Sequence, residues 1–230
     1  MEPMFSEDIT DRQAEAVAFL MAHLGSDVDH MHYIKFEQYY SDLHAVDIAI
    51  FEPTKYFDAY VAMTAGLSDY KFNKNFKRSE LVMVLPKTWK PIFEKEEYSW
   101  PIQLLLDVAH GVIDNNNGTM PGHVYICNND EGEYAKASNA IGGILSLPEE
   151  FPIELFEFKG DDCYVRFMQV IPISSDDLAR IEEIGPAKFI EFNLHDSEGP
   201  QMRVKLKQKT VAGIDKIIKQ NEEALKTKKK

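Results

Sequence analysis

The sequence predicts an α+β fold, in which a central mixed, largely antiparallel sheet is flanked by helices. Three observations predict it. Apolar stripes at helical spacing open the chain, interrupt its middle and close it. Between them lie five short runs, rich in β-branched and aromatic residues and ended by proline or glycine, as strands are. Strands and helices do not alternate one by one, as a wholly parallel sheet would require.

The first element is a helix over Asp11–Leu24. Val17, Leu20, Met21 and Leu24 fall on one face, Thr10 with Gln13 forms a capping box, and Gly25 supplies the stop. The aromatic-rich segment Val28–Tyr40 has no clear period. In the next run Val46, Ile48 and Ile50 alternate with Asp47 and Ala49 before Pro53, the pattern of a half-buried strand. Asp58–Ala65 follows as a second strand closed by Gly66. Leu81–Leu85, apolar throughout between Lys77-Arg78 and Pro86, suits a strand buried on both faces.

Ser99-Trp100-Pro101 is expected to start a helix, with proline in the first turn and Leu104, Leu105, Val108 and Ala109 on one stripe. Ile141–Leu147 and Tyr164–Ile171 are strands that stop at Pro148 and Pro172, since proline cannot donate to a ladder. Ser174 to Asp177 caps a further helix with Leu178, Ile181 and Ile184 inward and Gly185-Pro186 as its stop. Val211, Ile214, Ile217, Ile218 and Leu225 mark a last amphipathic helix. The expected organisation is an N-terminal helix and aromatic-rich extension packed on the domain (1–41), the domain itself (42–194), and a C-terminal strand or linker, amphipathic helix and basic tail (195–230).

Composition bounds the function. A chain of 230 residues, 44% hydrophobic and 27% charged, is long enough to bury a core without a metal or a disulfide framework. It has only two cysteines, Cys127 and Cys163. With no export signal they are expected as reduced thiols, Cys163 in the core. No run approaches the ~20 apolar residues of a membrane span, so a cytoplasmic protein is expected. The net charge of -13 splits into +7 over Arg203–Lys230 (ten basic, three acidic) and -20 over the remainder. An acidic body disfavours nucleic acid and anionic membrane and attracts basic partners.

Catalytic motifs are weak. His30 and His32, two residues apart, would share one side of a strand, and imidazole is a good zinc ligand, but no third or fourth ligand is specified. The chain contains no Gly-x-Ser-x-Gly elbow, phosphate-binding loop or dinucleotide fingerprint. Ser68, in Gly66-Leu67-Ser68-Asp69, lacks the second glycine of an elbow. There Gly66 is expected to take a special backbone conformation while Ser68-Asp69 close a turn. His123 is a general-base candidate without a visible nucleophile. Asp114 to Gly118 is a turn by composition, and Asn128 to Glu133 is a polar loop without calcium-loop spacing.

Seven pieces of this chain, in order, resemble the Suppressor of fused domain in its compact bacterial form. They are His44–Pro53, Tyr60–Asp69, Arg78–Pro86 with Trp89, Trp100–Ala109 as a helix ending near Ala109, Gly122-His123, Gly143–Pro148 and Val165–Pro172. The resemblance spans about Asp42 to Phe192. It implies an α+β sandwich and a protein-binding rather than catalytic role. Eukaryotic relatives sequester transcription factors between two lobes, whereas bacterial relatives are thought to act as immunity proteins beside polymorphic toxins. Ala62 stands where the eukaryotic relatives carry an aromatic, and the chain lacks room for a second lobe, so their contact residues are not carried over.

The leading expectation is therefore a non-enzymatic domain that binds a protein, a basic toxin being the favoured partner, with no cofactor and no metal. Its alternatives are a metal-dependent hydrolase built on His30, His32 and His123, and a generic regulatory adaptor. Expected contact residues lie on two loops. Tyr70, Phe72 and His123 would be anchors, Asp69 a charged rim, and Asn115 a polar neighbour. Oligomeric state is left open.

Overall fold

The computed structural model describes residues 9–36, 45–72, 78–91, 96–116, 118–127, 138–160 and 163–195. The expected loop at Asn128–Glu133, the segment Val211–Leu225 and the tail Lys226–Lys230 lie outside these residues.

Helix α1 (Asp11–Leu24) has the boundaries its sequence predicts. The Thr10 side chain accepts from the Gln13 N–H, the Gln13 side chain returns to the Thr10 N–H, and Gly25 ends the helix at φ 67°. A short turn leads into β1 (Met31–Ile34), followed by β2 (Asp47–Phe51), β3 (Ala59–Ala65) and β4 (Arg78–Pro86). After β4 come α2 (Glu96–Asn115), β5 (Val124–Ile126), β6 (Gly142–Ser146), β7 (Glu157–Lys159), β8 (Tyr164–Ile173), α3 (Ser175–Ile184) and α4 (Pro186–His195).

One sheet holds all eight strands in the order β1-β2-β3-β4-β8-β6-β5, with β7 also paired to β8. β1 to β4 form an antiparallel meander. Among the described residues only the β4–β8 pairing is parallel, with Arg78 opposite Val165 and Val82 opposite Gln169. The long connection through α2, β5, β6 and β7 supplies the crossover that a parallel pair needs. The sheet is mixed and mostly antiparallel, as the sequence predicts.

Both faces of the sheet are covered. On one, Ile48, Ile50, Leu81, Met83, Leu85, Met168 and Val170 pack with Leu104, Leu105, Val108 and Ala109 of α2. On the other, Ala49, Phe51, Val61, Met63, Val82, Val84, Val165 and Phe167 pack with Ala16, Val17, Leu20 and Leu24 of α1. Phe19, Phe158 and Phe167 stack there, 4.8 Å and 5.9 Å apart in sequence, tying α1 to β7 and β8. A third, smaller core of Ile144, Ile173, Ile181 and Phe189 lies under α3 and α4.

Several local expectations are corrected. β2 is buried at all five positions, because α1 covers the Ala49 and Phe51 face that alternation assigned to solvent. α2 begins at Glu96, not at Ser99, so Pro101 sits inside the helix, and it continues to Asn115 instead of ending near Ala109. Its apolar stripe runs on to buried Val112. Packing of that stripe against the sheet outweighs the one backbone bond the proline cannot donate. β8 does not stop before Pro172 but runs through it to Ile173, with Pro172 opposite Gly143. Past Gln169 its pairing with β4 has ended, and a proline is tolerated where a strand has an unpaired side. Pro186 does not only follow the α3 stop at Gly185. It also opens α4, a helix the sequence reading missed. Cys163 is half-buried at the margin of the α1-side core.

Candidate functional site

A densely bonded polar cluster surrounds the turn Gly66-Leu67-Ser68-Asp69, between β3 and β4. Gly66 adopts φ 122°, ψ -14°, a conformation that L side chains rarely take, so the expected special backbone conformation is present. The turn itself is a single 3₁₀ turn, Leu67–Asp69. Gln13 of α1, 2% exposed, donates through Nε2 to the Ala45 and Ala65 carbonyls, so one side chain both caps a helix and bridges two strand ends.

Beneath the turn lies Glu80, which is fully buried. Its Oε1 accepts from the Gly66 and Ser68 N–H groups, each at 3.0 Å, and its Oε2 from the Thr64 hydroxyl at 2.5 Å. Thr64 Oγ1 in turn accepts from the Leu81 N–H. All three donors to Glu80 are uncharged. Removal from water therefore dominates over these bonds and pushes its carboxyl up to about 7.

The two arginines of the cluster are engaged elsewhere. Arg78 Nη1 donates to the Ser68 and Asp69 carbonyls, at 2.5 and 3.1 Å. Arg12 Nη1 donates to Asp69 Oδ1 at 2.6 Å, while the Thr10 hydroxyl donates to Oδ2 at 2.8 Å. The first turn of α1 is thus bonded to the turn through both of its polar ends.

The second predicted loop meets the same strand. Ser79, beside Glu80, shares a short hydroxyl–hydroxyl hydrogen bond with Thr119, just past Gly118. Successive residues of β4 therefore hold the 66–72 and 116–123 loops. Asn116 and Gly118 both have positive φ, as a turn of this composition requires, whereas Asp114 and Asn115 belong to the last turn of α2.

The expected contact residues divide into two groups. Tyr70 is 7% exposed and packs in the α2-side core, where burial raises its phenol. The side chain of Asp69 is 9% exposed and paired with Arg12. Both serve the turn's structure: the tight 3₁₀ geometry points the next aromatic inward, and α1 covers the acid. Phe72 is half-buried against the same core. Asn115 is exposed and donates Nδ2 to the Gly111 carbonyl. His123, half-buried, stands edge-on to Tyr125, and Met120 beside it is 46% exposed.

The other two histidines of the expected metal site, His30 and His32, lie by β1, at the opposite end of the strand order from β5, which follows His123. His30 Nδ1 lies 2.6 Å from Asp27, which raises the imidazole, and His32 Nε2 lies 3.0 Å from Glu52. Among the described residues, no three His, Cys, Asp or Glu side chains gather as a metal site would need.

Sequence reasoning missed Arg12, Thr64, Glu80 and Thr119. Only Glu80 left a signal, as a lone acid heading an apolar run; the others form contacts 16 to 57 residues apart.

The described residues thus form a two-faced α+β sheet with a hydrogen-bonded turn at one strand end. The profile of the Suppressor of fused protein (SUFU) family matches residues 42–203, and the chain belongs to this family. Among solved structures it is similar to one described as a SUFU homologue from Neisseria gonorrhoeae FA 1090. The TM-score is 0.60 at 15% identity, covering 86% of this chain and 96% of that one. It is also similar to a chain of the Sufu-Fu complex, with TM-score 0.58, 14% identity, and 80% and 84% covered. No curated protein sequence matches. SUFU family members bind protein partners. α1 and β1 precede the matched segment, yet Thr10 and Arg12 at the start of α1 both bond the Asp69 carboxylate. No helix among the described residues is long and apolar enough to cross a membrane.

Proposed function

We propose that this chain is a non-catalytic protein-binding domain whose partner docks on the 66–72 and 116–123 loops, and that it acts as an immunity protein against a basic toxin. The observation that carries the binding role is the family match over residues 42–203. The Ser79 and Glu80 contacts support the choice of surface, since neighbouring residues of β4 hold one loop each. Phe72, Met120 and His123 offer partly exposed apolar and aromatic area, with Asn115 at the margin. Asp69 and Tyr70 contribute by holding the turn.

Charge supports the nature of the partner. The balance of -20 over residues 1–202 steers a basic protein toward this one, and toxins that act on nucleic acids are commonly basic. The test is the association rate of a partner recovered from the source organism, measured by stopped flow from low to physiological salt. A steep fall in association with a smaller change in dissociation is expected, because long-range steering is screened before packed contacts are. An acidic partner, or an association rate indifferent to salt, would remove the toxin reading and leave only the binding domain. Rescue of growth when the chain is co-expressed with that partner tests the immunity role itself.

A further inference from the structure

We infer that Glu80 makes the Gly66–Asp69 turn a proton-controlled latch, closed while the carboxyl is protonated and loosened when it ionises and draws water toward itself. Its role as a regulator of binding rests on the partner surface proposed above; the latch itself does not.

The geometry is that of a carboxyl whose every contact belongs to the turn or its flanking strands. Gly66 and Ser68 give their amides to one oxygen, and Thr64 gives its hydroxyl to the other. The groups that face this cluster are Arg12 on α1, Tyr33 on β1, Asp47 on β2, Asp69 in the turn and Arg78 on β4. Arg12 is bonded to Asp69, and Arg78 to backbone carbonyls. Asp47 accepts from the Tyr33 hydroxyl and the Phe36 N–H. The two acids and two arginines balance, and Tyr33 is neutral. An ionised Glu80 is therefore deeply buried, bonded only by neutral donors and offset by no net positive charge among these groups.

The direction follows from linkage. Burial lifts the folded carboxyl to about 7, whereas a hydrated one titrates near the ordinary 4.5. Between those values the closed turn binds the proton more tightly than an opened turn does. Raising the pH through this window therefore shifts population toward the opened form, and the shift is complete above it.

The protonated form keeps the turn satisfied. A proton on Oε2 reverses the Thr64 contact, so that Glu80 donates to Thr64 Oγ1 and the threonine hydroxyl proton rotates away, while Oε1 remains an acceptor for both amides. Closing thus needs only rotation of the Thr64 hydroxyl, with heavy atoms in place.

The experiment is carbon-13 carboxyl NMR of Glu80, combined with amide hydrogen exchange of Gly66 and Ser68 from pH 5.5 to 8.5, on the full chain without a partner. The expected midpoint for Glu80 is near pH 7. Protection of the two amides, corrected for intrinsic exchange, should fall more than tenfold as pH rises. Glu80→Gln should flatten that dependence. A Glu80 midpoint below pH 5.5, or protection in the wild-type protein that is flat or increases with pH, would overturn the latch. If Glu80→Gln does not fold, the wild-type titration decides alone. The partner's affinity in the same pH range then separates the two readings. A titrating turn with pH-independent affinity refutes only the placement of the partner surface.

Discussion

Replacing Gly66 with alanine should destabilise the protein by about 3–5 kcal/mol, far more than the same change at Gly185. At φ 122° a β-carbon carries a conformational cost of roughly 1–3 kcal/mol. That carbon would also lie 2.5 Å from Gln13 Nε2 and 2.6 Å from the Ala45 carbonyl oxygen. Gln13 can swing away, but only by abandoning the two carbonyls it bridges, and each buried group left unpaired costs about 1–3 kcal/mol. The Ala45 oxygen belongs to the backbone and yields less readily. Gly185 also has positive φ, yet nothing lies within 4 Å of its β-carbon position, so Gly185→Ala isolates the conformational part. Urea unfolding at unchanged m-value measures both. Gln13→Ala combined with Gly66→Ala should cost less than the sum of the single changes, because one of the two clashes is then gone. Equal losses at Gly66 and Gly185, or a loss at Gly66 below about 1 kcal/mol, would refute the claim that this turn is held by close contact with α1.

Arg12→Ala should cost about 1.5–3 kcal/mol in the same assay, since it strips a charge-assisted bond from an Asp69 side chain that is 9% exposed; a neutral result would mean that α1 does not hold the turn. Phe167→Ala, which removes one ring of the stack joining α1, β7 and β8, should cost about 3–5 kcal/mol by thermal or urea unfolding. Relative to Glu80→Gln, the wild-type protein should lose on the order of 3 kcal/mol of stability as pH rises from 4.5 to 7. In that window the folded carboxyl, at about 7, binds more protons than the unfolded one. A difference that stays constant with pH would show that Glu80 is already ionised.

What the sequence discloses is mostly local. Thr10, Gln13 and Gly25 mark the ends of α1 because capping bonds span three or four residues. Ser174 and Asp177 do the same for α3. The strand runs are legible from apolar continuity, and Leu81–Leu85 is buried on both faces as its composition requires. The faces of β2 were not legible, because Asp47 and Ala49 alternate as a solvated edge would. Only the arrival of α1 and Tyr33 buries them. The proline rules proved too strict at Pro101 and Pro172, where packing and an unpaired strand side compensate.

The candidate site was half legible. Gly66 and the turn after it were visible from composition, and so was the loop around Gly118. Which residues support them was not, since Arg12 reaches Asp69 across 57 positions and Ser79 reaches Thr119 across 40. Tyr70 shows the ambiguity most plainly. An aromatic after a polar turn has the same sequence signature whether it faces a partner or the core, and here it faces the core.

Site-directed photo-crosslinking tests the central claim most directly. A photoreactive phenylalanine analogue is placed in turn at Phe72, Met120 and His123, and as a control at Glu183, an exposed position on α3. Each full-length variant is mixed with the partner recovered from the source organism and irradiated. Covalent capture from positions 72, 120 and 123, with little from 183, is the predicted result. Capture from 183 with none from the three loop positions would contradict the account, placing the partner on the α3 and α4 surface instead.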